Sequence, residues 1–437
     1  YCPNKVACKY QKAPDVFDHK SNDAKKKVVV YSDAQEKVIG FRNGKCRVIA
    51  KAGTGKTECM TERGARMYAE GTDPHKMLFV TFTDAGAIEM KERLIAKSEM
   101  KNLAISADDI PAMTFHTLGY GFIKDNYKYL GFEKMPSIID TNAAKKGKLI
   151  HQVLEAADFF TIENRYNALD WAMKCFDAIK TAEINPDDVD AEEQLREAIK
   201  DNARMANAMS ASEYTKMIDM YKEYIRICRE NCWLTFSDIE PLMNKVLREK
   251  PEYVEELGFE HIIVDEFQDS NDAQLDTIQH LIGTKCFKSL MVVGDDCQSI
   301  YGFRNTSQEN ILYFWEKLNV TDGSDLYLLE NRRSTPEILS FADEYISTYN
   351  EDQTEEHMKA VREHGFKPVV RGFWDKNDER KFIVDQIKVC HEKGGYAYED
   401  MAIIGATRTE LVNMAAILSD AGIPWITKYP MQLLENS

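Results

Sequence analysis

Two short stretches hold most of the chemistry this sequence can do. In VDEFQDS, residues 264–270, Asp265, Glu266 and Asp269 fall within five residues, directly after the apolar run His261-Ile262-Ile263. Carboxylates this close repel one another and resist burial unless a positive group sits among them, most economically a divalent cation. The second stretch, VIAKAGTGKT at 48–57, follows an apolar run and opens the helical pattern TECMTERGARMYAE. Ala52, Gly53, Thr54 and Gly55 let backbone N–H groups curl around phosphate oxygens, Lys56 can reach the β and γ phosphates, and the Thr57 hydroxyl can ligate Mg²⁺. The general pattern has Gly six residues before the Lys; Ala50 stands there in this chain and is also small. If Asp265 ends a strand of the same sheet, its carboxylate lies near the Mg²⁺ shell, and Glu266 can orient and deprotonate an attacking water. Taken singly, the two stretches could be a Gly-rich turn and a solvated acidic turn. Together they point to hydrolysis of a nucleoside triphosphate.

The elements that must position these residues follow from hydrophobic periodicity. CRVIAKA (46–52), MLFVTFT (77–83), AMTFHTL (112–118), HIIVDE (261–266) and LMVVGDD (290–296) are short apolar runs separated by helical stretches. Such runs predict parallel strands covered on both faces, an α/β sheet. Residues 119–232 carry apolar positions at helical spacing and few strand signals, which predicts a helical insertion between two parts of one sheet domain, 29–118 and 233–322. A second α/β set over 323–425 contains LYLLEN (326–331), KPVVRGF (367–373), the helix ERKFIVDQIKVCHEK (379–393) and MAIIGAT (401–407). Residues 1–28, polar and Lys-rich, are expected to form a tail or linker.

A chain of 437 residues is too long for one core, so two or three domains are expected. With 44% hydrophobic and 29% charged residues it has an ordinary globular composition. No apolar run approaches the roughly 18–20 residues of a membrane helix. The ten scattered cysteines fit reduced thiols, and with no signal-peptide pattern the expected compartment is cytoplasmic. The net charge of -16 excludes a uniformly basic nucleic-acid coat while allowing a local basic channel. Cys228 and Cys232, four apart without nearby histidines, are expected to be packing residues.

AGTGKT, DEFQDS and GDDCQSIYGFR (294–304), in this order and spacing, resemble the UvrD/Rep/PcrA family of superfamily 1 DNA helicases. Gln35 in SDAQEKVI, TFTDAGAIEMKERL (81–94), TFHTL (114–118), LTFSDI (234–239), ENRRSTPEIL (330–339) and AIIGATRTE with GIPW (402–425) extend the likeness over residues 30–437. The resemblance implies a RecA-like P-loop motor domain with a helical insertion, the start of a second RecA-like domain, and an accessory insertion beginning over 426–437. It implies an ATP- and Mg²⁺-dependent single-stranded DNA translocase and 3′–5′ helicase, acting at duplex/single-strand junctions in settings such as DNA repair. The carried-over roles are Gln35 on the adenine edge, Lys56 and Thr57 on phosphate and Mg²⁺, Asp265 on the metal and Glu266 as base. Gln298 would sense the γ-phosphate, and Arg333 would be an arginine finger. Arg332 stands where the family usually has a Tyr stacked on adenine; a guanidinium can also stack on a base, or it can point to solvent.

The same likeness lays single-stranded DNA along Phe82, Thr83, Thr114, Phe115, His116, Tyr301, Phe303 and Arg304, where aromatic faces accept any base. Phe82 and Phe115 are also readable as core aromatics, and His116 as a buried polar residue. Other readings are an ATP-gated DNA-binding module without unwinding and the motor arm of a helicase–nuclease. The family's later motifs do not occur before Ser437, and a longer natural chain is expected. Cys2 and Cys8 resemble the last two ligands of the iron–sulfur staple of AddB-like nucleases, implying a preceding nuclease domain or subunit. Two cysteines alone cannot hold a cluster.

Overall fold

The computed structural model describes residues 4–7, 30–140, 142–156, 165–200, 211–298, 309–349 and 357–427. Within them the chain forms two compact units, residues 31–365 and residues 1–30 with 366–437.

The larger unit is built on a six-stranded parallel sheet. In chain order its elements are α1 (Asp33–Gly40), β1 (Gly44–Ala50), α2 (Lys56–Ala69), β2 (Met77–Thr81), α3 (Asp84–Glu99), β3 (Ala112–Thr114), α4 (Phe115–Asn126), β4 (His261–Val264), α5 (Asp272–Ile282), β5 (Ser289–Gly294) and β6 (Gly323–Leu328). The strands lie in the order β3-β2-β4-β5-β1-β6, every neighbouring pair parallel. Because side chains alternate across a strand, one run feeds two cores. Leu78, Val80, Ile262, Val264, Leu290 and Val292 face α4, α5 and the helix Ile239–Glu249. Met77, Phe79, Ile263, Met291 and Val293 face α1, α2 and α3. The chain order reverses beside β1, and at such a switch point an open α/β sheet leaves a crevice at its carboxyl ends.

The sheet extends further than expected. Residues 323–328 were expected to open the second domain, but they pair with β1 from Lys45↔Gly323 to Ala50↔Leu328. An apolar run does not state which sheet it will join. The expected insertion boundary at 119 also moves, since Leu118, Phe122 and Ile123 of α4 belong to the sheet's own core. Beyond α4 the helical reading agrees with helices at Ala143–Ala156, Arg165–Thr181, Ala191–Ala198 and Ala211–Asn231. They share a separate core with Cys175, Phe176, Ile179, Met217, Tyr221 and Cys228. Cys228 and Cys232 are buried, as packing residues should be, and burial pushes the Cys228 thiol up to about 12.

In the smaller unit the helices Lys376–Glu392 and Arg408–Asp420 pack through Val384, Ile387, Leu411, Met414 and Leu418. The strand Ala402–Gly405 pairs antiparallel with Asn4–Ala7, so those four residues of the expected tail form a strand. KPVVRGF forms no strand, and Val369 and Val370 are exposed. Among the described residues no helix is long and apolar enough to cross a membrane.

Candidate active site

Residues from the ends of β1, β4, β5 and β6 meet at one edge of the larger unit. The phosphate loop leaves β1 at Ala50 and enters α2 at Lys56, with Gly53 (φ 69°) and Gly55 (φ 89°) in left-handed conformations. At Gly53 any side chain would collide, since a Cβ would stand 2.7 Å from Arg333 Cβ. From the segment after β6, Asn331 Nδ2 donates to Ala52 O at 2.6 Å and the Arg332 N–H donates to Gly53 O at 2.9 Å. The expected cradle of Ala52, Gly53, Thr54 and Gly55 is thus held from outside as well as by its own turn.

Lys56 and Glu266, 210 positions apart in sequence, meet at 2.8 Å between Nζ and Oε2. Glu266 has left-handed backbone angles (φ 51°, ψ 42°), a strain on the order of 1 kcal/mol that tends to persist where function requires it. Gln268 joins this pair to the next strand: its Nε2 donates to Glu266 Oε2 at 2.8 Å, and its Oε1 accepts the Asp295 N–H at 3.0 Å. Asp295 Oδ2 then accepts from Gln298 Nε2 at 2.5 Å. One hydrogen-bonded path therefore runs from Lys56 through Glu266, Gln268 and Asp295 to Gln298. Gln268, 2% exposed, lay inside DEFQDS, but only the fold shows that it bridges two strands.

The electrostatics follow from burial. Burial and the adjacent Glu266 charge push the Asp265 carboxyl up, toward its neutral form. Burial would also raise Glu266, but the Lys56 ammonium and its hydrogen bonds from Gln268 and Lys56 outweigh this and hold it low. Burial pushes Asp295 up too, against the Cys297 N–H and the Lys51 charge. A divalent cation fits this donor set, because it would stabilise the ionised Asp265 that burial now opposes.

Gln35 is buried, and both ends of its amide are engaged: Oε1 accepts the Ser32 N–H at 3.1 Å and Nε2 donates to Thr54 O at 3.1 Å. A primary amide retains a second hydrogen and a second lone pair for a base edge. Arg332 is exposed and its Nη2 lies 3.1 Å from Glu330 Oε2. Arg333 is exposed, and its charge helps to lower Glu266.

Of the residues expected on a DNA track, Thr83 and Thr114 use their hydroxyls as N-caps of α3 and α4. Phe82 is half-buried. Phe115 is corrected to a core residue: at 6% exposure it packs with Leu118 and Phe122, and a ring in that position has no face for a base. His116 is exposed rather than buried, and its ring meets Phe236 edge-on at 5.8 Å between centroids. Phe236, 43% exposed, lay in LTFSDI without an assigned role. Tyr301, Phe303 and Arg304, like Cys2 and Cys8, lie outside the described residues.

Comparison with known proteins adds the family. The UvrD/REP helicase N-terminal domain matches residues 31–319, and the UvrD-like helicase C-terminal domain matches residues 326–436. The ATP-dependent DNA helicase PcrA of Staphylococcus aureus (strain Mu50) is 29% identical over 379 residues, covering 86% of this chain and 48% of the relative. The protein of the same name from Staphylococcus epidermidis (strain ATCC 12228) is 28% identical over 397 residues, covering 90% and 50%. The chain spans about half the length of the curated relatives it matches. By the span of the N-terminal match and the site it contains, the chain belongs to the UvrD/REP helicase family.

Proposed function

We propose that this chain is the ATP-hydrolysing part of a motor that moves along single-stranded DNA in the 3′–5′ direction and separates duplex at junctions. The observation that carries the reading is the path from Lys56 to Gln298, which ties the phosphate loop to the turn expected to read the γ-phosphate. Lys56 and the backbone donors around Gly53 and Gly55 hold the phosphates. Thr57 and Asp265 would hold Mg²⁺, which when bound supplies charge neutralisation for the β and γ oxygens. Glu266 takes the proton of the attacking water, and release of its carboxylate from Lys56 as that ammonium turns to phosphate frees it to do so. Arg333 stabilises charge on the transferring group. Gln35 offers its remaining donor and acceptor to adenine, while Arg332 either stacks on the base or stays with Glu330.

His116 and Phe236 support a DNA track, since exposed aromatic faces beside capped helix starts suit sequence-independent stacking. Phe82, Thr83 and the segment with Tyr301, Phe303 and Arg304 complete the proposed track. The deciding experiment measures ATP hydrolysis with and without single-stranded DNA, then strand displacement on duplexes with 3′ or 5′ tails. DNA-stimulated hydrolysis with unwinding of 3′-tailed substrate is expected. Binding of ATP without stimulated hydrolysis would favour the gated binding module, and preference for 5′ tails would reverse the polarity. An iron–sulfur nuclease partner is a separate proposal resting on Cys2 and Cys8; iron analysis of the intact protein tests it.

A further inference from the structure

A second buried lysine stands beside the hydrolytic pair, with its ammonium against the turn Asp295–Cys297. Lys51, the first residue after β1, is 4% exposed. Its Nζ lies 2.5 Å from Asp296 Oδ1, 3.1 Å from Cys297 Sγ and 4.0 Å from Asp295 Oδ1. The turn Asp295–Cys297 has the donor spacing of a cation site, and this ammonium already lies among its donors. The Lys51 backbone is equally committed. Its N–H donates to Leu328 O at 3.2 Å, and its carbonyl accepts from Thr54 Oγ1 at 2.7 Å.

Stability does not call for an ion pair here. The preceding residues Ile49 and Ala50 are apolar and buried, and buried ion pairs are often no better than apolar groups of equal volume. The backbone of residue 51 holds Thr54 of the phosphate loop and Leu328 of the strand that leads to Asn331 and Arg333 whatever its side chain. What the lysine side chain adds is a connection from there to Asp296, in the short helical turn that ends at Gln298. Gln268 holds the same turn from the other side, at the Asp295 N–H.

We propose that Lys51 is a positioning residue for hydrolysis: its ion pair with Asp296 holds Gln298 in register with the phosphate loop. This rests on the reading of Lys56, Glu266 and Gln298 given above. Movement of the loop reaches the turn through the Lys51 side chain, because a close buried ion pair resists stretching. Without it the turn keeps the Gln268 contact at the Asp295 N–H but loses its charged tie to the loop, and Gln298 loses its alignment while the phosphate cradle keeps its donors.

The test uses the full chain and two variants. In Lys51→Met/Asp296→Leu both charges are removed together, so no buried charge is left unpaired; Lys51→Arg retains a cation. Thermal melting, equilibrium binding of a fluorescent ATP analogue, and kcat and KM of DNA-stimulated hydrolysis are measured for each. The double variant should melt within a few degrees of the parent and bind the nucleotide within about threefold, yet lose about tenfold or more in kcat. Lys51→Arg should recover kcat to within about threefold of the parent. Unchanged kcat in the double variant would overturn the proposal. So would parallel losses of melting temperature, nucleotide affinity and kcat, which a merely structural role predicts. A parent protein that fails to hydrolyse ATP would overturn the function on which the proposal rests, a result distinct from an active parent with an indifferent variant.

Discussion

Lys56 and Lys180 are both lysines withdrawn from water and paired with a carboxylate, yet their surroundings differ. Lys180, on the helix Arg165–Thr181, has a side chain 2% exposed and meets Tyr224 Oη at 2.8 Å, Thr235 Oγ1 at 2.9 Å, Ser237 Oγ at 3.0 Å and Asp238 Oδ1 at 2.7 Å. An ammonium has three hydrogens, so this one is fully used. Lys56, 12% exposed, meets a single carboxylate oxygen among the described residues. The first arrangement locks the insertion to its point of re-entry at LTFSDI; the second leaves donor capacity at a crevice, held beside a strained Glu266. A buried ion pair with every valence satisfied builds structure, whereas one with capacity to spare can receive a ligand.

The comparison yields predictions of decreasing size. Arg333→Ala, which removes the expected finger, should lower DNA-stimulated ATP hydrolysis by about 10³ to 10⁵ and barely move the melting temperature; turnover near that of the parent would remove Arg333 from the reaction. Glu266→Gln should lower turnover by about 10² to 10⁴ while ATP and DNA binding persist, measured by single-turnover hydrolysis and filter binding. Equal hydrolysis would sink the assignment of the base. Lys180→Met should act the other way: a loss of about 3–5 kcal/mol of stability, because the Asp238 charge is left buried without its partner, with ATP affinity unchanged in the folded fraction. Denaturant unfolding checks it, and a selective loss of turnover would blur the distinction between the two lysines.

The smallest effect is one of pH. Burial opposes ionisation of Asp238, but the Lys180 charge and the Thr235 hydrogen bonds prevail and hold its carboxyl below the usual range. A depressed carboxyl contributes stability that is complete above its unfolded value, about 3.9, and is lost as pH falls through the lower folded value. Melting temperature should therefore fall by roughly a few degrees below about pH 4, and Asp238→Asn should flatten that acid limb. An acid limb identical in the variant would assign the effect to other carboxylates.

Much of the site was legible because its chemistry depends on neighbours in sequence. AGTGKT needs small residues and a Lys at fixed offsets, and DEFQDS needs its acids at a strand end; both requirements are local. Residues whose partners are remote were not legible. Lys51 fell at the end of CRVIAKA, a run read as a strand, and nothing in the stretches around Lys51, Gln268 or Lys180 names Asp296, Asp295 or Asp238 as partners. Phe115 was ambiguous for a related reason: at the first position of α4 a ring can turn either way, and the surrounding packing with Leu118 and Phe122 decided it.

What the sequence by itself determined is therefore the α/β alternation, the phosphate loop, the acidic strand end and the helical character of the insertion, because periodicity and fixed spacing act over a few residues. Only the tertiary structure decided that Gly323–Leu328 joins the first sheet, that KPVVRGF stays unpaired, and that Lys51 and Gln268 tie the loop to Gln298. Strand pairing and buried polar contacts bring together residues hundreds of positions apart, and their choice depends on the desolvation and packing of the whole sheet.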